Sequence, residues 1–517
     1  MSRVRQLLLI LLLGLPSFAQ QTAPQPANPN TPPAQVSSQG EPGAPPKTKI
    51  EITVPLDQPQ KPGAKTPQPE RKMSPAQAEE LFKSVDEILQ FVSKDTGLPI
   101  KHPVKRKLAT RAEVEKYVGD RMTNDEDARR LQRSVLVLKK FGLVPRDFDL
   151  GTFMVKLLGE QVVGYYDPKT KYVNLLDWVE PEEQKPVLAH ELTHALQDQN
   201  YDLDPWIRAG QPENLMDDTT VPKDPVEEQK KLQKQVDEDE RQSARQAVSE
   251  GQGMAVLIDY TLAPLGKSLA DAPEIVELMK NQMASGADTP VFSSAPVFLR
   301  EVLTFPYKYG LGFEGALLAK GGKPAAYTNA LEHPPETTRD IMDPQRYLAH
   351  EEVPPLRVPP IGNIIGPEWV KLDVGAMGEF DVFLLLEQYA NADAAKRLAP
   401  AWRGGYYYAA LKKSADKPNR QLKTSEMSVF YVSRWTDAKT AQDFADLYSH
   451  SFLTRYRDVW PKKKENGRDV LWSSNEGPLY VEASGPYVII SESFDAELAA
   501  KLRNAAVPEA AGTTAGK

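Results

Sequence analysis

The chain reads as an α+β protein, with a mainly helical first domain that holds a small β-hairpin and a smaller α+β domain after it. Three observations predict this. Apolar residues recur every three to four positions in successive stretches between 75 and 262, the spacing of one helical face. The period changes at 162–176, where two β-rich runs flank a Pro168-Lys169-Thr170 turn. Beyond Gly366, strand-like and helix-like segments alternate up to about residue 506.

At 517 residues, 40% apolar and 26% charged, the chain has material for two or three packed domains. A formal charge of −8 without any Lys/Arg stripe argues against nucleic acid as a partner. Arg3 and Arg5, the aliphatic run from Leu7 to Leu15 and the small residues of Ser17-Phe18-Ala19 read as a signal peptide over 1–19. The expected location is therefore secreted or periplasmic. The run is about half the ~20 residues that span a bilayer, and no later segment qualifies, so no transmembrane span is expected after cleavage. An uncleaved anchor helix is the alternative. The absence of cysteine excludes disulfides, thiolate metal ligands and Cys nucleophiles. Any metal must be held by His and carboxylates. Segment 20–74, dense in Pro, Gln, Ala, Thr and Gly, reads as a disordered Pro-rich tether broken by a strand-like run at 49–54, and 507–517 reads as a disordered tail.

The first folded domain is expected over 75–365. It opens with a helix near Pro75 whose Leu81, Phe82, Val85, Ile88, Leu89 and Val92 share a face. Helices at 111–117, 125–141 (stopped by Gly142 and Pro145) and 150–158 follow. The hairpin pairs 162–167 with 172–176, and a helix covers about 181–199. A long helix then runs over 225–262, with Asp224 a natural N-cap and Pro225 suited to the first position. Two more helical stretches lead into a loop-rich segment with Pro334-Pro335, Pro354-Pro355 and Pro359-Pro360. The second domain, 366–506, should hold helices at 377–389, 438–456 and from Phe494, and strands at 406–411, 428–434, 470–473, 479–483 and 487–491.

The chemistry is concentrated on the 181–199 helix. His190 and His194 are four residues apart, slightly more than one turn, and project from one face. Two imidazoles so placed can hold one Zn²⁺ at about 2.0–2.1 Å each. Glu191, one position around, can take a proton from a water at the metal's open position. Such a triplet arises by chance in roughly half a percent of chains of this size and histidine content. A catalytic zinc needs a third protein ligand. A His six residues after His194 is excluded, because that position is Asn200. Glu250 shares a face of the long helix with Ala247, Met254 and Leu257, where an unpaired acid would be costly and a metal would neutralise it. A helix-edge carboxylate bonded to Arg241 or Arg245 is the alternative. Gly251 and Gly253 beside it would let another helix come close. Asp198 can accept the second ring proton of a ligating histidine, or is a plain surface carboxylate. Glu238 and Glu240 lie in a charged run and read as solvated. Tyr307, Tyr309, His333 and Arg339, in the segment after these helices, are candidate oxyanion donors. His102, His350 and His450 have no metal-like neighbours.

His190-Glu-Leu-Thr-His194-Ala, Asp198 and the later Glu250-Gly251 together resemble the gluzincin, thermolysin-like group of zinc metallopeptidases. The resemblance implies a zincin-like fold, His190, His194 and Glu250 as zinc ligands, and Glu191 as general base. Gly164-Tyr-Tyr-Asp-Pro168 looks like the edge strand on which such enzymes lay a peptide. The chain is also similar to an uncharacterised bacterial family of putative exported metallopeptidases, through 164–167, the histidine helix, Ser249-Glu-Gly, Phe305-Pro-Tyr-Lys-Tyr-Gly, 334–338 and 344–347. The gap between His194 and Glu250 is longer than in the thermolysin-like group, a departure that bears on the third ligand. The expected function is peptide-bond hydrolysis by a zinc-activated water, with a peptide or protein as substrate. A zinc hydrolase of another amide or ester, or a metal-stabilised cell-envelope binding module without turnover, are the alternatives.

Overall fold

The computed structural model describes residues 72–116, 126–161, 164–209, 219–285, 290–416, 422–465 and 467–507. The expected signal segment, the tether up to residue 71 with its strand-like run at 49–54, and nearly all of the tail lie outside these residues. Within them the fold is α+β, with helix outweighing strand by about 59% to 17%. Labels below are given to helices of ten or more residues.

The first helix, α1 (Pro75–Thr96), starts at a capping box in which Ser74 and Gln77 satisfy each other's backbone N–H, and it stops at a left-handed Gly97. Leu81, Val85, Ile88, Leu89 and Val92 are buried in the main core. β1 (Lys105–Ala109) follows, then α2 (Glu126–Phe141) and α3 (Leu150–Gln161). The hairpin is present as β2 (Gly164–Asp167) and β3 (Tyr172–Leu176), paired antiparallel with Tyr166 opposite Val173. β1 joins β3 in parallel, so the sheet order is β1-β3-β2 and β2 is an edge strand. β1 escapes hydrophobic patterning because Lys105, Arg106 and Lys107 fill most of it.

α4 (Pro181–Tyr201) carries the histidine motif, and α5 (Pro225–Leu262) crosses it, capped by the Asp224 side chain on the Val226 N–H. Glu238 and Glu240 on α5 are buried, not solvated. Glu240 accepts from the backbone N–H and hydroxyl of Thr338, and Glu238 faces Lys234. After α6 (Glu274–Ser285) comes α7 (Val297–Lys323), packed along α5. The Phe305–Gly310 stretch thus sits inside a helix and not in a loop-rich segment. Pro306 is tolerated in the helix interior there, although it removes one backbone donor.

The C-terminal half forms a seven-stranded antiparallel sheet from β4 (Trp369–Ala376), β5 (Trp402–Lys412), β6 (Met427–Trp435), β7 (Trp460–Glu465), β8 (Arg468–Ser474), β9 (Gly477–Ser484) and β10 (Tyr487–Glu492), in the order β4-β5-β6-β10-β9-β8-β7. All five expected strands lie within these; β4 and β7 were not anticipated. α8 (Glu379–Tyr389), α9 (Ala438–His450) and α10 (Ala496–Ala506) complete the fold. The helix expected to run to 456 ends at His450, and a separate turn, Phe452–Arg455, follows Ser451. One apolar cluster joins α1, α4, α5 and α7 to Leu372, Tyr407, Tyr431 and Val488 of the sheet, so 75–365 and 366–506 share a core. α2 belongs physically to the sheet: the Phe141 ring meets Tyr407 and Tyr431 edge-on at 6.1 and 6.0 Å. No helix among the described residues is long and apolar enough to cross a membrane.

Candidate metal centre

α4 is buried on nearly every side from Val187 to Asp198, so its polar groups must find partners inside the protein. His190 Nε2 and His194 Nε2 lie 3.0 Å apart. From across the α4–α5 contact, Glu250 Oε2 stands 3.1 Å from the first and 3.3 Å from the second. Donor atoms at ~2.0–2.2 Å from a tetrahedral ion sit roughly 3.3–3.5 Å from each other, so the cluster has the size of a metal site. Among the described residues it is the one His/Asp/Glu group with ligand atoms gathered this closely. Two imidazoles and a carboxylate form a borderline-hard donor set suited to a divalent ion. Burial pushes the Glu250 carboxyl up, but both imidazoles outweigh it and hold the group at about 2. Burial likewise lowers His194, yet the Glu250 carboxylate raises it to about 9. The two groups therefore stabilise one another as charges. Arg241 and Arg245 are not the partners of Glu250: they bind Glu336 and the Trp206 carbonyl.

Two glycines make this approach possible. A Cβ on Gly253 would come within 2.6 Å of His190 Cε1, and one on Gly251 within 2.4 Å of the Gly310 backbone on α7. The first lets the His190 ring lie on α5. The second brings α7 close enough for Tyr307, whose ring stacks on His190 at 6.2 Å and whose phenol bonds Glu250. Burial, then the Glu250 and Glu191 carboxylates, hold that phenol protonated.

Glu191 Oε2 accepts the Tyr166 backbone N–H of β2 at 2.8 Å, while Oε1 is buried without a hydrogen-bond partner. Burial raises its carboxyl pKa, opposed in part by His190 and His194. The other expected residues lie elsewhere. Asp198 does not touch a histidine: it accepts Tyr166 Oη at 2.5 Å and Lys171 Nζ at 2.8 Å, tying β2 and its turn to α4. Tyr309 is about 200° around α7 from Tyr307 and packs on Phe305 and Phe380. Arg339 binds Glu351, and the His333 carbonyl accepts from Tyr347 Oη.

The residue that orients His194 is Gln197. Its Oε1 lies 2.9 Å from His194 Nδ1, and its Nε2 donates to the Ser249 carbonyl at 3.2 Å and to Gln252 Oε1 at 2.8 Å. Gln252 in turn donates to the Ala326 carbonyl at 2.7 Å. Backbone carbonyls accept only, so each amide can face one way. Nδ1 of His194 must therefore carry a proton, which leaves Nε2 as the nitrogen that gives up its own proton when a metal takes its lone pair. The signal for Gln197 was its position one turn after His194. Ser249 and Gln252 flank Glu250 and could have been sought on the same ground.

Models of known protein families, curated proteins and solved structures contain no match to this chain.

Proposed function

We propose that the chain is an exported zinc-dependent peptidase, with His190, His194 and Glu250 as metal ligands and Glu191 as general base. The observation that carries the reading is Glu191 itself. One oxygen is fixed by the Tyr166 N–H, and the other is buried and partnerless beside three gathered ligand atoms. A purely structural ion has no use for such a carboxylate, and structural sites are normally closed by a fourth ligand. Zinc bound there would polarise a substrate carbonyl and acidify a water. Glu191 Oε1 is the free position that would take the proton and return it to the leaving amine. Tyr307 is the candidate oxyanion donor, since burial keeps its phenol protonated against the ligand cluster. β2, at the edge of its sheet and joined to Glu191, is the proposed docking edge for an extended peptide.

The test is direct. Purified protein should contain one zinc per chain and cleave members of a mixed peptide library, and a chelator should abolish cleavage until zinc is returned. Cleavage that persists without metal, or protein that takes up no metal, would sink the proposal. Metal uptake with no turnover of any peptide, amide or ester would favour the binding-module reading.

A further inference from the structure

Tyr307 faces the ligand cluster, whereas Phe305 and Tyr309 face Phe380 on the other side of α7. Beside Phe380, three arginines gather. Arg339, on the one-turn helix Thr338–Met342, is wholly buried. Its Nη2 donates to Glu351 Oε1 at 2.7 Å, but Nε and Nη1 have no hydrogen-bond partner. Glu379 Oε2 stands 3.6 Å from Nε, an ion pair beyond hydrogen-bond reach, and has no hydrogen-bond partner of its own. Arg346 and Arg403 lie close by: both donate to the Pro400 carbonyl, and both act with Arg339 on Glu351 and Glu379. Unused donors on a buried guanidinium are costly, so an arrangement that keeps them calls for an occupant.

Glu351 shows how an occupant reaches Arg339. Its side chain is 43% exposed, and it begins a stretch, 351–360, without regular secondary structure. The residue before it, His350, is in the left-handed region at φ 51, uncommon for a residue other than glycine. A carboxylate that enters from solvent on an irregular segment is cheaply withdrawn. Burial pushes the Glu379 carboxyl up to about 8 despite the arginines, so it is mostly protonated at neutral pH. The acids that then face the three guanidinium groups are Asp343, paired with Arg346 at 2.7 Å, Asp340 beside Arg339, and Glu351. A ligand that takes the place of Glu351 must supply the single negative charge that Glu351 withdraws, which a monoanion does one for one. The planar fork of a guanidinium matches a carboxylate's two oxygens.

We infer that Arg339, Arg346 and Arg403 form a binding site for the carboxylate of an organic acid, and that Glu351 is the built-in stand-in that the ligand displaces. The site lies apart from the metal ligands and does not depend on the peptidase reading.

Acetate is the probe, followed on the full chain by saturation transfer to its methyl protons, with acetamide as neutral control and phosphate as competing anion. Glu351→Gln removes the stand-in's charge and should tighten acetate binding by about tenfold. Arg346→Gln and Arg403→Gln, both at partly exposed positions, should each weaken it by about three- to tenfold. Arg339 is left intact because its removal empties a buried position. Displacement of acetate by acetyl-dialanine would assign a peptide C-terminus, and displacement by acetyl-aspartyl-alanine amide an acidic side chain. Either outcome supports the site. No acetate binding to wild type or Glu351→Gln at tens of millimolar overturns it. So does binding indifferent to Arg346 and Arg403, equal binding of acetamide, or phosphate binding in place of acetate.

Discussion

Which nitrogen of His194 carries its proton is decided by two neutral amides that touch no ligand position themselves. Gln197 accepts from Nδ1 because Gln252 and the Ser249 carbonyl occupy its donor end, and Gln252 is fixed by the Ala326 carbonyl. Gln197→Leu keeps the volume but removes the acceptor, and it should weaken zinc binding by about 10–100-fold. Gln197→Glu, which still accepts from Nδ1, should restore much of it. Competition against a chromophoric chelator measures both, and an unchanged zinc affinity in the Leu variant would contradict the role. His190, Glu191, His194 and Glu250 were legible in the sequence, because helical spacing alone puts two imidazoles on one face and an acid on an apolar one. Asp198 was expected to do what Gln197 does. A carboxylate is the commoner partner, and spacing cannot tell which of two neighbours on a helix meets a ring. What settles it is Tyr166 and Lys171, which come from the hairpin and claim Asp198. Tyr309 lies away from the cluster for a related reason: the proline-rich texture suggests a loop where Tyr307 and Tyr309 stand on opposite sides of a helix.

At the scale of elements, the centre depends on how closely α5 can approach its neighbours. A Cβ on Gly310 would sit 2.1 Å from the Ala247 carbonyl of α5, an overlap with backbone that no rotamer change relieves. Gly310→Ala should therefore cost about 3 kcal/mol in urea unfolding and, because Tyr307 rides on the same helix, should loosen zinc as well. A loss below about 0.5 kcal/mol would mean that the helices are not packed this tightly. A second contact ties α5 to the end of α1, where Asp259 and Asp95 face each other with Lys323 of α7 bound to Asp95. Burial and the Asp95 charge hold Asp259 up at about 6, above its ordinary 3.8. The folded chain thus keeps a proton that the unfolded chain releases. The stability this contributes is complete below the ordinary pKa and is lost as pH rises through about 6. Asp259→Asn should exceed wild type by ~3 kcal/mol at pH 7 and by under ~1 kcal/mol near pH 4; an equal difference at both would rule out this titration. Helices with caps and clean stripes, α1 and α5 above all, were legible in the sequence. β1 and β7 were not, because Lys and Arg crowd them and their stability comes from the neighbouring strand.

Across the whole molecule, the boundary suggested at Gly366 marks a change of texture and not a break in the core. Lys140, fully buried on α2, donates to Glu476 and to Ser493, and Arg455 donates to the Lys140 carbonyl and to Glu492. The three bonds made by Lys140 join the early chain to the late one, a pairing over more than 300 residues that no local pattern reveals. A fragment ending at residue 365 would leave Lys140 and Phe141 without their partners, so it should remain unfolded by circular dichroism, while the full chain melts in one transition. A folded 75–365 fragment would show that the halves are independent. This shared core is what holds α4, α5 and α7 rigid around the ligand atoms, and with them the position of Glu191. The central claim is that Glu191 is a base and not a structural carboxylate. Glu191→Gln keeps its size and its acceptor for the Tyr166 N–H, but it cannot take a proton. Peptide turnover by wild type and variant, measured at matched zinc content, is the most direct test. The account predicts that the variant folds, holds zinc as wild type does, and loses ~10²–10⁴-fold in turnover; equal turnover at equal zinc occupancy would contradict it.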